Sequence, residues 1–215
     1  MSAGAAKIDP PKMPDRLENR NDDVRSLRAK DDFSQGSVSD IVLDSQHAEK
    51  VSFEKFVFRH TTFTECSLTG LELTDVVFEK CDFSNVSLTD SFLHRTEFIQ
   101  CKLIGTDFTR SRFQSVRFMA CIGDYASFRF THFKRAALEN SSLIGADWSH
   151  STLQKMFFTA CHIDQAVFTG TKLEGIDLSD CRFDGLNVEI EDLNGCMISE
   201  QQASSFIGLL GLIIK

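Results

Sequence analysis

The strongest constraint in this sequence is a hydrophobic period of five residues. Every fifth position from Phe53 to Ile198 is apolar except Gly123, and these thirty positions hold fourteen of the 20 Phe. A period of five fits neither the 3.6 residues of a helical turn nor the alternation of a strand. We therefore expect the chain to turn a corner every five residues, with a large side chain pointing inward each time.

The position two residues before each large apolar residue gives the number of pentads in one coil. It is mostly small or apolar, and it contains all seven cysteines: Cys66, Cys81, Cys101, Cys121, Cys161, Cys181 and Cys196. Five of them, from Cys81 to Cys181, differ by multiples of twenty. Single pentads cannot bury their apolar face alone and must stack. The spacing therefore predicts a square-sided solenoid with four pentads per coil and about eight coils.

Five pentads carry a resemblance to a known family. CDFSN, TDFTR, ADWSH, TKLEG and IDLSD resemble the motif of pentapeptide-repeat proteins. That resemblance implies an all-β solenoid of the right-handed quadrilateral β-helix type.

Three longer segments are similar to the Qnr-type quinolone-resistance branch and its mycobacterial relative MfpA: FVFRHTTF at 56–63, DYASFRFTHF at 124–133 and ISEQQASSFIGLLGLIIK at 198–215. This resemblance implies binding to DNA gyrase and topoisomerase IV by imitation of duplex DNA, reduced quinolone sensitivity, and a homodimer. The pentad register never slips between residues 51 and 198, whereas loops interrupt many Qnr proteins. A loopless, MfpA-like mode is therefore expected.

The chain divides into three parts on its sequence pattern. Residues 1–35 are charge-rich and predict a partly flexible N-terminal arm or cap. Residues 36–198 carry the repeats. Residues 199–215 predict a capping α-helix, begun by a capping box of Ser199 and Gln202, and a dimerisation tail. The apolar surplus of this tail exceeds what one lid needs, so we expect the dimer interface to include Phe206, Ile207, Leu209, Leu210, Leu212 and Ile213.

Charge and hydropathy exclude two classes of partner. The formal net charge of −8 argues against direct nucleic-acid binding, because neutralising phosphates needs a basic surface. No apolar run approaches the length that spans a bilayer, and the polar start does not resemble a secretion signal, so a membrane partner is not expected. The expected compartment is the cytoplasm.

The sequence predicts no catalytic residue, metal site or cofactor. Phosphate-binding glycine loops and the GxSxG, HExxH and CxxC motifs are missing, and the six His have no ligand spacing. Inward-facing cysteines lack the solvent access that a nucleophile needs. We therefore expect a protein that is not an enzyme and whose function lies on its surface.

Two adjoining faces of the predicted solenoid are acidic, and a third carries a basic stripe of Arg95, Arg112, Lys134, Arg135, Lys155 and Lys172. The candidate partner contacts are Asp107, Asp124, Asp147 and Asp164, unless these are ordinary solvated charges. Two alternatives to quinolone protection stay open. One is a scaffold whose partner is not a topoisomerase, and the other is an immunity protein against a gyrase-directed peptide toxin.

Overall fold

A computed structural model describes residues 8–210 as a parallel β-solenoid. Its ten strands are β1 (Glu18–Asn19), β2 (Asp32–Ser39), β3 (Val42–Asp44), β4 (Ser52–Arg59), β5 (Thr62–Thr64), β6 (Glu72–Glu79), β7 (Phe92–Ile99), β8 (Arg112–Met119), β9 (His132–Glu139) and β10 (Thr152–Thr159). Strands β3 and β5 form a two-stranded sheet, and the others form one eight-stranded sheet. Residues from β2 onward pair with the residue twenty positions later, as in Phe58 with Phe78, which confirms the predicted coil length.

The corners recur every five residues, as the period predicts. From Lys30 to Gly175 every fifth residue has a positive φ, and only five of these positions are glycine. Such a φ is uncommon outside glycine, so the hydrogen bonds between coils must hold these residues in place. Each long strand from β4 to β10 bends at one such corner, for example at Lys55 in β4.

Four faces run along the solenoid, and we number them by one coil. Face 1 holds residues 81–85, face 2 holds 86–90, face 3 holds 91–95 and face 4 holds 96–100, together with their equivalents at intervals of twenty. Faces 3 and 4 are covered by the long strands. Face 1 carries the short strands β3 and β5 in the first coils, and the rest of faces 1 and 2 consists of turns and isolated bridges such as Ser87 with Asp107.

The solenoid has about seven regular turns followed by one less regular coil, in agreement with the prediction of about eight coils. Seven long strands, from β2 to β10, follow one another at intervals of twenty residues. The next coil has no long strand and is held by single contacts, such as the bridge of Asp177 with Met197. Seven turns at the strand spacing of about 4.8 Å give a rod roughly 34 Å long.

Aromatic columns fill the core. Phe58, Phe78, Phe98 and Phe118 stack in sequence, with ring centroids 4.9, 5.0 and 4.8 Å apart. A second column contains Phe108, Phe128, Trp148 and Phe168, with separations of 5.3, 5.2 and 5.1 Å. The large apolar residue of each pentad therefore packs against its equivalents in the adjacent coils.

Gly123 interrupts the apolar period, but its neighbours fill the space. A Cβ at this position would lie 3.0 Å from Leu143 Cδ2 and 3.9 Å from Leu103 Cβ. We predict that Gly123→Leu, which restores the period, lowers the free energy of unfolding by about 1–3 kcal/mol through overpacking. Urea unfolding checks this, with the volume-conserving Leu103→Met as a control; a Gly123→Leu chain at least as stable as the original would contradict it.

Helical segments cover both ends of the core. At the start, the 3-10 helix Asp23–Arg25 and the residues after it place Val24 and Leu27 in the hydrophobic core. A second 3-10 helix, Ile190–Leu193, lies in the last coil. Within residues 8–210 no helix is long and apolar enough to cross a membrane.

The terminal helix, Glu200–Leu210, is a 3-10 helix, so the predicted α-helix was wrong. Gln202 fixes its first turn: the side-chain amide donates to the carbonyls of Leu178 (2.9 Å) and Cys181 (2.7 Å). Its Oε1 accepts from the Ser199 main chain at 2.8 Å, which is half of the predicted capping box. Two serines and a glycine follow, and these residues favour an α-helix less than alanine or leucine does.

Candidate protein-binding surface

Asp107 and Asp147 lie on face 2 and cap the turns that build it. The Oδ1 atom of Asp107 accepts from the Thr109 main chain at 2.9 Å, and that of Asp147 accepts from the Ser149 main chain at 2.8 Å. This is the Asx turn, in which an aspartate binds the backbone two residues on. Asp82 and Asp177 accept the same bond, from the main chains of Ser84 and Ser179. The recurring Asp-x-Ser/Thr of the pentads is therefore a turn signal as well as a source of charge.

Asp124 and Asp164 lie on face 1 and bind the following coil instead. Asp124 Oδ1 accepts from the Ser142 hydroxyl (2.6 Å) and the Ile144 main chain (2.9 Å). Asp164 Oδ1 accepts from the main chains of Asp184 (2.9 Å) and Gly185 (3.0 Å). The main-chain bond from Asp184 is the largest influence holding the pKa of Asp164 below its usual value, so this carboxylate is charged at neutral pH.

The four aspartates are arranged in two columns on adjoining faces. Asp107 and Asp147 are two coils apart on face 2, and Asp124 and Asp164 are two coils apart on face 1. Two coils correspond to about 10 Å along the rod. Together the four residues form what we call the acidic surface.

Basic neighbours neutralise only part of these two faces. Arg129 Nε lies 3.6 Å from Asp147, while Arg110 and Lys102 pair with Asp90 and Asp82. Within residues 8–210, Asp107, Asp124 and Asp164 take part in no salt bridge. Three of the four carboxylates on the acidic surface therefore remain available to a basic partner.

An apolar patch lies beside the acidic surface. Tyr125 is 68% exposed, and the side chains of Ile104 and Ile122 are also exposed. The Tyr125 ring lies over Gly145, where a Cβ would be 2.8 Å from the ring carbons. Exposed aromatic groups ringed by charge are typical of protein-binding surfaces.

The cysteine column lies inside the rod, as the period predicts. All seven cysteines are free thiols, and six of them are buried. The sulfurs of Cys101, Cys121 and Cys161 lie within hydrogen-bonding distance of the carbonyls of Phe78, Phe98 and Leu138, at 3.3–3.4 Å. Burial raises the pKa of Cys181 to about 12, and burial followed by the charge of Asp177 raises that of Cys196 to about 11.

Burial of six of the seven thiols predicts that they are unreactive, because a reagent in solution cannot reach them. A thiol with a raised pKa stays protonated until the pH approaches that value, and the thiolate is the reactive form. At pH 8 we expect Ellman's reagent to modify at most one thiol rapidly, the half-buried Cys196, and all seven after denaturation. Rapid native-state modification in a Cys196→Ser variant would contradict the buried column.

The sequence pattern missed one set of polar contacts. Residues 8–13 lie against face 3 at its corner with face 4, where the Lys12 main chain donates to Asp75 at 2.8 Å. Asp75 and Arg95 form a largely buried ion pair beneath them. Within residues 8–210, no group of His, Cys, Asp and Glu is placed to hold a metal ion.

Repeat period, four-sided coil and turn-capping aspartates together define a pentapeptide solenoid. The pentapeptide repeat region profile matches residues 71–148 and 91–168, and the profile of eight pentapeptide repeats matches residues 161–189. The chain belongs to the pentapeptide-repeat family, whose solenoids are typically non-enzymatic interaction scaffolds.

A relative from Bacillus subtilis strain 168, the uncharacterized protein YisX, is 38% identical over 208 residues, covering 96% of this chain and 97% of that protein. Among solved structures, a trypsin-treated variant of QnrB1, a plasmid-mediated fluoroquinolone resistance protein, is 19% identical. It covers 84% of this chain and 100% of its own, with a TM-score of 0.42. HetL, involved in heterocyst differentiation regulation in Nostoc sp. strain PCC 7120, is 16% identical. It covers 80% of this chain and 84% of its own, with a TM-score of 0.33. At these identities and scores the likeness carries no inference about function.

Proposed function

We propose that this chain is a non-enzymatic protein that binds DNA gyrase, topoisomerase IV or both as a mimic of duplex DNA, and that it lowers their sensitivity to quinolones. The observation that carries the proposal is the acidic surface, where three aspartates have no salt-bridge partner among the described residues of a narrow rod. A protein groove that neutralises phosphates attracts carboxylates held at a comparable spacing. The Qnr-like segments of the sequence point to the same partner.

The test is a gyrase supercoiling assay in which the purified chain is titrated with and without ciprofloxacin. We expect inhibition of supercoiling at micromolar concentrations without the drug, and fewer drug-stabilised cleavage complexes with it. Raising the salt concentration should weaken both effects, because the contact is electrostatic. Neither effect at micromolar concentrations would reject the proposal. A pull-down that retains other proteins but neither topoisomerase would favour the scaffold alternative.

We further propose a homodimer through the C-terminal end. Phe206 contacts Phe183 edge to face at 5.8 Å and is half-buried, as is Ile207. Leu209 is 42% exposed, and Met197 and Ile198 are exposed close to it in sequence. Leu212 and Ile213, also predicted in this interface, lie outside the described residues, and only the backbone of Leu210 is described.

A substitution at Leu209 tests the dimer. Light scattering of the original chain should give twice its mass of 24.2 kDa, and Leu209→Glu should give the monomer mass, because a dimer would bury the new charge. Val42→Glu, at an exposed apolar site in an early coil, is the matched control and should stay dimeric. A monomeric original chain would remove the dimer from the proposal.

A further inference from the structure

Of the predicted N-terminal arm of residues 1–35, residues 8–13 lie across a column of corner residues rather than within a coil. From here on, the N-terminal arm means these six residues. Lys12 donates its main-chain N–H to Asp75 Oδ1 at 2.8 Å. Three coils further along the same column, Asp9 Oδ2 lies 3.5 Å from Arg135 Nη1, and it accepts from the Ser115 hydroxyl at 3.5 Å. The arm therefore runs along the rod, opposite to the direction in which the coils follow one another.

The prolines of the arm explain this path. Pro10 and Pro11 lack the N–H that a strand in the ladder would donate, and consecutive prolines favour the extended polyproline II conformation. The chain has three prolines, and all of them lie between residues 10 and 14. A stiff segment that cannot join the sheet but carries polar groups at both ends suits a site on the outside of the rod, along the column of corner residues that it contacts; we call this column the groove.

The floor of this groove is a buried ion pair. Asp75, whose side chain is 3% exposed, receives two bonds from Arg95, with Nε at 2.5 Å and Nη2 at 2.7 Å. Burial alone would raise the pKa of Asp75, but the bonds from Arg95 and from the Lys12 main chain outweigh it and lower the pKa. The groove thus presents a fixed carboxylate that binds a backbone N–H of an extended segment.

The arm satisfies the groove only in part. Its single carboxylate contact with Arg135 is long, and Arg135 Nε is buried without an acceptor among the described residues. His94 Nδ1, beside Arg95, is likewise unpartnered. Arginine binds a carboxylate best through two parallel hydrogen bonds. An acidic side chain that approaches Arg135 more closely than Asp9 does could accept two such bonds, one of them from the unpartnered Nε.

We propose that the corner column of Asp75, Arg95, Ser115 and Arg135 is a binding groove for an extended, proline-containing acidic segment of a partner protein. The N-terminal arm occupies this groove in cis. Recognition has two parts: Arg135 and Ser115 bind the acidic side chain, and Asp75 binds a backbone N–H three residues later. The groove lies on different faces from the acidic surface, so this inference does not rest on the proposed function.

Tethering makes the arm a strong competitor, because a linked segment has an effective concentration in the millimolar range. A probe peptide should therefore bind only where the arm has been released. The probe is residues 8–16, IDPPKMPDR, with a fluorophore at its C-terminal end. The released variant is the full chain carrying Ile8→Asp and Asp9→Lys, which places a charge at a buried position and reverses the charge that faces Arg135.

In fluorescence anisotropy we expect the released variant to bind the probe at least tenfold more tightly than the original chain. Asp15→Asn, which changes the net charge by the same +1 at an exposed residue outside the arm, should behave like the original chain. Adding Arg135→Glu to the released variant, or replacing Asp9 by Asn in the probe, should remove the binding.

No binding to a folded released variant, equal binding to all variants, or binding that survives Arg135→Glu would overturn the proposal. If the released variant does not fold, the original chain still provides a test. Millimolar unlabelled probe should speed hydrogen exchange at the Lys12 amide by displacing the arm, and unchanged exchange would overturn the proposal as well.

Discussion

Replacing Trp148 with alanine should lower the free energy of unfolding by about 3–5 kcal/mol, among the largest effects of a single substitution in this chain. Trp148 is fully buried and lies between Phe128 and Phe168, with interplanar angles of 8° and 4°. Its removal opens a cavity that the neighbouring coils cannot close, because inter-coil hydrogen bonds fix their spacing. Urea unfolding followed by circular dichroism measures the change.

Trp148→Phe is the matched control, and we expect it to lower the free energy of unfolding less than Trp148→Ala does. Phenylalanine keeps the stack, since every neighbour in this column is already Phe. It also removes the indole N–H, which is buried without an acceptor among the described residues. An unsatisfied buried donor costs about 1–3 kcal/mol, which offsets part of the lost packing. We expect Trp148→Phe to cost at least 2 kcal/mol less than Trp148→Ala, by comparison with the cavity cost. Equal costs would show that the column does not determine the stability of this coil.

The period of five predicted the core from Phe53 to Val188, because in a solenoid each core position contacts its own equivalents; the last position of the predicted period, Ile198, is exposed. Phe58 stacks on Phe78 because one coil contains twenty residues, which places the two rings at the same position of adjacent coils. The cysteine column followed from the same arithmetic. Repetition therefore turns a long-range packing problem into one that can be read from short-range spacing.

The period could not predict what happens outside the repeat. The arm contacts Asp75 across 63 residues and Arg135 across a greater distance in sequence, and no spacing rule relates the two segments. The Gln202 side chain, at the start of the terminal helix, donates to two carbonyls of the last coil. In both places, single tertiary contacts fix a segment in a way that no spacing rule predicts.

The sequence predicted the acidic surface only in part. The sequence predicts that the four aspartates face outward, since they occupy polar positions of their pentads. It did not separate the two ways in which they are held, by a turn at Asp107 and by the next coil at Asp164. In both cases the acceptor is Oδ1, and asparagine retains an oxygen at that place. The charge of all four residues can therefore be removed without loss of the bonds that hold them.

Neutralising the acidic surface should separate binding from folding. In the fourfold variant Asp107→Asn, Asp124→Asn, Asp147→Asn and Asp164→Asn, each amide oxygen can replace the acceptor that now holds the turn or the next coil. We expect the melting temperature to change little and gyrase inhibition to weaken by about 10–100-fold. Each lost contact to a basic group also removes about one unit from the dependence of log affinity on log salt. A supercoiling titration at two salt concentrations measures both quantities.

The control removes the same charge from the other two faces. Glu54, Glu72 and Glu174 lie on face 3 and Glu79 on face 4, and all four can be replaced by glutamine. If net charge alone drives the encounter, both fourfold variants weaken inhibition equally, because long-range attraction depends little on which face carries the charge. If the acidic surface is the contact, the glutamine variant keeps most of the inhibition and the original salt dependence, while the asparagine variant loses both. Equal loss in the two variants would therefore reject this surface as the binding site even if gyrase proved to be the partner.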